Sequence, residues 1–311
     1  MNAKTLSDWA YIAVDKHFHK ILAHEAGVLK DEDQEELHQM RVGTRRLRSA
    51  LAGFSPALEL PRAANDKSVG KLARILGGLR DLDVLKESLV GEYLPHLPGE
   101  EQRSLSHAFK YLEQERKKVF KTVDRTLKDN LYIDLKNDFK NWLNKPQYGP
   151  MGNINIEPVL PELLLPQVSK FLLHQGWLIG ANSESFSKGE VENILSQEGH
   201  HLHELRKEAK HTRYNMELFA QFYDDTYDNY LDDVKKLQTV LGNIQDSSVL
   251  SEFLGEVYGQ DLRKKMPTLI GIFQNIHHEN WQKWQKLQAK YLRPDTRRGF
   301  HLTIVNHKLI H

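Results

Sequence analysis

"LHQMRVGTRRLRSALAGF", residues 37–54, sets four arginines and a histidine beside an apolar stripe, and no acid follows Glu36 until Glu59. On a helix turning by about 100° per residue, Leu37, Met40, Thr44, Leu47, Leu51 and Phe54 share one arc, which must pack inward. His38, Arg41, Arg45 and Arg48 fall on the adjoining arc, while Arg46 points elsewhere. One helix is thereby predicted to carry both a core face and a row of cations.

The same pattern returns later in the chain. "LHELRKEAKHTRYNMELF", residues 202–219, aligns with the first stretch at a shift of 165, because 203 − 38 = 165. Without a gap, that shift also lays Lys71 on Lys236, Leu76-Gly77 on Leu241-Gly242, Asp81 on Asp246 and Tyr93 on Tyr258. Agreement at so many positions in one register marks an internal duplication. In the second copy Leu202, Leu205, Ala209, Met216 and Phe219 form the packing stripe. His203, Arg206, Lys210 and Arg213 form the basic row, with Lys207 and His211 flanking it.

Apolar residues recur at helical spacing along almost the whole chain, and the period-two alternation of strands is scarce, so the predicted class is all-α. The clearest break is "KPQYGPMGNINIEPVLP", residues 145–161, whose four prolines and two glycines suit a connection between halves spanning 1–145 and 162–295. Two helical bundles related by a pseudo-twofold axis are the expected architecture. After Pro294 the tail, residues 296–311, alternates weakly like a strand and reads as a loosely held terminus.

Composition narrows the function. Lys+Arg 43 against Asp+Glu 42 gives a formal charge of +1, so affinity for a polyanion must come from segregated charge. With no cysteine, disulfides, thiolate catalysis and cysteine-ligated metal are excluded. The first 20 residues lack the apolar core of a signal peptide and no apolar run reaches about 18 residues. A soluble, cytoplasmic protein that makes no use of the membrane is expected.

Like charges at i,i+3 and i,i+4 repel by a few tenths of a kcal/mol per pair, so each basic row needs an offset. Acids of a neighbouring helix could supply it, with Asp81, Asp83 and the segment 223–233 as candidates. A bound anion is the other offset. From Arg41 to Arg48 the row runs roughly 10 Å at 1.5 Å per residue, a span of several phosphate units. Arginine holds phosphate oxygens bidentately and lysine adds a mobile point charge. No aromatic residue lies on the basic arc, Tyr214 being the nearest, which favours inorganic phosphate chains over single-stranded nucleic acid.

These residues resemble the conserved histidine α-helical domain, the CHAD family. The string His38-x-x-Arg41-Val42-x-x-Arg45-Arg46-Leu47-Arg48 is similar to its first signature, and "LGGLRDLDVL" at 76–85 to its second. The resemblance covers roughly residues 6 to 295. It implies two four-helix bundles with a basic channel between them, and non-catalytic binding of inorganic polyphosphate, with association with polyphosphate granules as a further implication. Carried over residue by residue, the implied phosphate contacts are His38, Arg41, Arg45, Arg46 and Arg48, then His203, Arg206, Lys207, Lys210 and Arg213. Two departures weaken the second half: His211 stands where Arg or Lys is usual, and Ser248 occupies the register of Asp83.

Lys67, Lys71 and Arg74 make a further basic row, of which only Lys71 has a basic counterpart, Lys236. They read equally as channel residues or as a solvated face. The basic stretch 116–128 has no partner in the repeat and reads as structural or solvated. His38 and His203 are expected to donate to phosphate or to a carboxylate such as Asp81 or Asp246, and with a reference pKa near 6.5 they would strengthen binding in mild acid. The 16 histidines form no ligand set, so neither metal nor cofactor is expected. No phosphate-binding loop, zinc-protease pair or nucleophile elbow is present. Asp81 and Asp83, at i,i+2 on a helix, diverge and read as partners for Arg80 or the motif arginines. A nucleic-acid-backbone binder and a polyphosphate-processing enzyme remain as alternatives.

Overall fold

The computed structural model describes residues 3–183 and 185–307, and these are overwhelmingly helical. The chain divides into two compact units, Met1–Glu92 with Phe109–Pro158, and Tyr93–Ala108 with Val159–His311.

In the first unit, α1 (Leu6–Lys30) opens with a capping box between Thr5 and Asp8. It ends at Asp31, whose left-handed backbone, φ 55°, reverses the chain into α2 (Gln34–Gly53). Gly43 lets the two helices approach closely, because a Cβ there would lie 3.2 Å from the Ile21 backbone nitrogen and 3.3 Å from the His17 carbonyl. The predicted α2 stripe is the core face: Leu37, Met40, Thr44, Leu47, Leu51 and Phe54 are all buried. Thr44 satisfies its hydroxyl on the Met40 carbonyl at 2.7 Å. Against this face pack Phe18 and Ile21 of α1, Leu72 and Leu76 of α3 (Asp66–Ser88), and Phe139 and Trp142 of α5 (Asn130–Asn144). The helix α4 (Gly99–Lys128) adds Val123 and Leu127. A two-residue antiparallel pairing, β1 (Leu58–Glu59) with β2 (Gln147–Tyr148), and an isolated antiparallel bridge between Thr5 and Asn155 add a little extended structure to the helices.

The second unit is built from α6 (Leu160–Leu172), α7 (Lys188–Phe219), α8 (Asp225–Tyr258), α9 (Leu262–Lys265) and α10 (Pro267–Leu292). The capping box of Ser187 with Glu190 starts α7. An aromatic stack holds the base of the unit, with Trp177 5.3 Å from Trp284 and 5.2 Å from Tyr291. Buried Glu101, at the start of α4, accepts from the Thr268 and Leu269 amides at 2.9 and 3.1 Å. A carboxylate thus closes the positive N-terminal end of α10.

The tail corrects the sequence expectation. Residues Pro294–Val305 form a further helix, α11. Proline at the first helical position and the buried i,i+4 pair Phe300 and Ile304 specify it. Only 308–311 of the expected loose terminus lie outside the described residues. No described helix is long and apolar enough to cross a membrane.

Arg116, in the stretch read as structural or solvated, is structural. Its guanidinium holds Asp31 by two 2.6 Å bonds and Asp83 by one of 2.6 Å. The Asp83 side chain is fully buried, and burial raises its carboxyl pKa against the opposing pull of Arg116. Removing one partner of such a buried pair strands the other charge, at a cost of about 3–5 kcal/mol. Arg116→Ala should therefore lose about that much unfolding free energy in urea titration, and a loss near zero would show that the triad is solvated.

Acid should weaken the first unit through His17. Burial first, then the neighbouring charges of Arg46, Lys16 and Lys20, holds its imidazole down to about 4. The unfolded chain takes up the proton near 6.5. The contribution of neutral His17 is therefore complete above about pH 6.5 and is lost as pH falls toward the folded value. Urea midpoints measured at about pH 7 and pH 4.5 should fall for the wild type and fall less for His17→Gln; equal declines would place the acid sensitivity elsewhere.

Candidate functional site

Burying the apolar stripe of α2 fixes the helix's rotation and turns Arg41 and Arg48 onto α3, with Arg45 between them on the same helix face. The same geometry sets Arg206 and Arg213 of α7 against α8, with Lys210 between them on the same helix face. Each basic residue is therefore positioned by the core rather than by a loop.

The tightest agreement between the copies is a trio. Arg41 Nη1 lies 3.7 Å from Asp81 Oδ1, and Arg206 Nη2 lies 3.7 Å from Asp246 Oδ1. Behind each arginine is a glycine. A Cβ on Gly77 would be 2.7 Å from Arg41 Nη1, and one on Gly242 would be 3.3 Å from Arg206 Nε. The shift of 165 relates all three members, since 206 − 41, 242 − 77 and 246 − 81 are equal. Glycine lets the guanidinium lie against the neighbouring helix, and the aspartate one turn on holds it there without a short bond. Both aspartates are largely exposed, at 71% and 63%. A hydrated pair at that separation is weak, and its arginine can exchange the carboxylate for another anion.

The C-terminal ends of the rows differ. Arg48 makes a two-point bond to Asp66, 2.8 and 3.1 Å, and Gly70 leaves room for it, since a Cβ there would meet the guanidinium carbon at 3.2 Å. In the second copy Leu231 occupies the register of Asp66. Arg213 instead binds Glu217 at 2.8 Å and Gln238 at 3.2 Å, with the ring of Tyr214 5.4 Å away. These two arginines are held by acids or amides of their own unit. Asp233, among the acids expected as partners of the row, serves Lys290 and Tyr291 instead.

His38 and His203 start the rows. Burial, the largest influence on each, lowers both imidazole pKa values, and Lys207 and Arg206 push His203 down further. His203 meets Gln245 rather than Asp246, and its Nδ1 is buried with no hydrogen-bond partner. Both rings therefore take up a proton at lower pH than an ordinary histidine. Arg46, as its position on the wheel indicated, faces α1, where its charge acts on His17. Lys207 pairs with Glu204 at 2.7 Å on the helix surface. Exposed His211 lies near Glu208, whose carboxyl burial pushes up and the hydrogen bonds of Lys170 and Gln167 pull down more strongly, with His211 adding to the lowering. Lys67, Lys71 and Arg74 are exposed along α3, and Lys236 is 3.9 Å from Asp233.

The glycines carry a testable consequence. In Gly77→Ala the new methyl must displace the end of the Arg41 side chain, a flexible group, while alanine improves helix propensity by up to about 1 kcal/mol. Thermal stability should hold or rise, and affinity for a polyanion such as tripolyphosphate should fall by about tenfold, as expected for the loss of one charged hydrogen bond. Gly242→Ala, with more room, should lose less. Unchanged affinity in a folded Gly77→Ala would separate Arg41 from anion binding.

Comparison with known proteins supplies the family. No curated protein matches the chain. Among solved structures, the crystal structure of the CHAD domain from the plant Ricinus communis is 21% identical, with a TM-score of 0.61, covering 98% of this chain and 93% of that one. PptA from Streptomyces chartreusis is 12% identical, with a TM-score of 0.64, covering 93% of this chain and 99% of that one. At these identities the likeness is one of fold. The CHAD domain family model matches residues 12–255, most of the length, and the chain belongs to the CHAD domain family.

Proposed function

We propose that this chain binds inorganic polyphosphate through the basic rows of α2 and α7 and does not cleave it. The observation that carries the reading is the repeated trio, Arg41–Gly77–Asp81 and Arg206–Gly242–Asp246. In both copies an arginine is held beside a hydrated carboxylate at 3.7 Å, beyond the 2.7–2.9 Å of a charge-assisted hydrogen bond. A phosphate oxygen can take the place of that carboxylate at little cost, and its higher charge density favours the exchange.

Chain length follows from the spacing. A single phosphate meets one such arginine and competes with one carboxylate. A polyphosphate chain lying along α2 meets Arg41 and Arg45 in succession, so each added contact raises the effective concentration of the next. Affinity then grows with the number of phosphates. Nucleic acid offers phosphates at wider intervals, together with bases for which the row has no stacking surface.

The binding-only reading rests on the kind of groups in the row. Arginine and lysine are charged donors suited to holding an anion. Asp81 and Asp246 are exposed and beside arginine, not poised as buried bases.

Two readouts on one preparation test this proposal. Polyphosphate of about 100 units should displace a labelled short chain at least tenfold more effectively, per phosphate, than single-stranded or duplex DNA at about 0.15 M salt. Incubated with Mg²⁺, the polyphosphate should keep its length distribution on gels. Equal displacement by DNA would favour a backbone-binding nucleic-acid protein, and steady shortening by pure protein would make the chain a hydrolase.

A further inference from the structure

The two copies differ where α3 and α8 turn their second faces. In the first unit that face is filled with ion pairs. Arg80 holds Glu87 at 2.8 and 3.1 Å, Lys86 holds Glu113 at 3.0 Å, and Arg116 ties Asp83 to Asp31. The 165-residue shift replaces Arg80 with Gln245, Asp83 with Ser248 and Lys86 with Ser251, while Glu87 persists as Glu252. The role of Arg116 passes to buried His277. Its Nε2 lies 3.4 Å from the Ser248 hydroxyl and its Nδ1 2.7 Å from Glu192.

Short side chains in place of long ones leave space. A cleft of about 570 Å³ lies between α7 and α8, with His277 of α10 at one wall. Leu202, Leu241 and Ile244 supply an apolar wall, Gln245, Ser248 and Ser251 hydroxyl and amide groups, and Glu192 and Glu252 two carboxylates. No lysine or arginine lines it. The first unit neutralises the equivalent acid with its own cation. Here the acid remains and the cations of that face have gone, so the cleft has the charge and the room for an external one.

We infer that this cleft is a binding site for an aliphatic di- or polyamine, which takes the place that Arg80 and Lys86 fill in the first unit. Ammonium groups would meet the carboxylates of Glu192 and Glu252 and the oxygens of Gln245, Ser248 and Ser251. Methylenes would lie on Leu202, Leu241 and Ile244, as the stem of a lysine lies on apolar surface. A metal ion fits less well, since among the described residues no three His, Asp or Glu side chains converge to hold one. His203 belongs both to this cleft and to the basic row, so an amine here sits beside the proposed anion site with the opposite charge. The inference stands on the cleft itself and survives if the polyphosphate reading fails.

Spermidine is the probe, titrated calorimetrically at about 0.15 M salt to suppress non-specific pairing. The wild type should bind about one equivalent saturably. Gln245→Arg/Ser251→Lys, which rebuilds the first unit's ion pair on Glu252 and fills the space, should weaken binding at least tenfold. Exposed Glu252→Gln should weaken it several-fold without touching the fold, and Asp225→Asn, remote in sequence and on an exposed helix end, should leave it unchanged. Polyphosphate titration of the same proteins reports the basic row separately. Absence of saturable spermidine binding by the wild type, or binding that survives both cleft variants, overturns the assignment.

Discussion

Everything at the candidate site follows from the burial of one stripe on one helix. Leu37, Met40, Leu47 and Leu51 can leave water together only at one rotation of α2, and that rotation aims Arg41 and Arg48 onto α3. Each buried leucine contributes roughly 1.5–3 kcal/mol, against a few tenths per repulsive cation pair. The core therefore holds the cations in a row that electrostatics alone would scatter. The same balance acts on α7 through Leu202, Leu205, Met216 and Phe219.

In the proposed reading, glycine and aspartate make that row able to exchange anions. Gly77 and Gly242 admit the guanidinium to the neighbouring helix, and Asp81 and Asp246 keep it aligned at a distance too long for a strong bond. Arg48 and Arg213 show the contrasting arrangement, with acids at hydrogen-bonding distance. Within the rows, then, Arg48 and Arg213 are bonded at short range, while Arg41 and Arg206 each lie 3.7 Å from a carboxylate. The copies have diverged away from this trio: the first unit closes its second face with Arg80, Lys86 and Arg116, and the second opens it around His277.

The class of fold and both core stripes were legible in the sequence because helical periodicity records burial directly, and the 165-residue register paired Arg41 with Arg206, Gly77 with Gly242 and Asp81 with Asp246. Asp81 was readable as a partner of the motif arginines, and Leu76-Gly77 as a matched pair. The purpose of Gly77 was not, since a missing side chain gives no signal of what approaches it. Arg116 escaped for another reason. Its partners Asp31 and Asp83 are distant in sequence, and a basic stretch on a helix looks alike whether it faces water or an ion-pair network. The tail misled because Phe300, Leu302 and Ile304 alternate over a length too short to separate a strand from a helix, and only the packing of Phe300 and Ile304 decides between them. The cleft beside His203 is a difference between copies, visible only once Gln245, Ser248 and Ser251 are seen to sit where long charged side chains pack in the first unit.

The most direct measurement is calorimetric titration of medium-chain polyphosphate into the wild type and into Arg41→Ala/Arg45→Ala/Arg206→Ala, at about 0.05 and 0.2 M salt. The account predicts tight wild-type binding that weakens with salt, and a loss of at least about 100-fold in a variant that stays folded, since each charged hydrogen bond contributes about 1.5–3 kcal/mol. Wild-type protein that fails to bind, or a folded variant that binds as well, would contradict it and leave the arginine rows with a structural role alone.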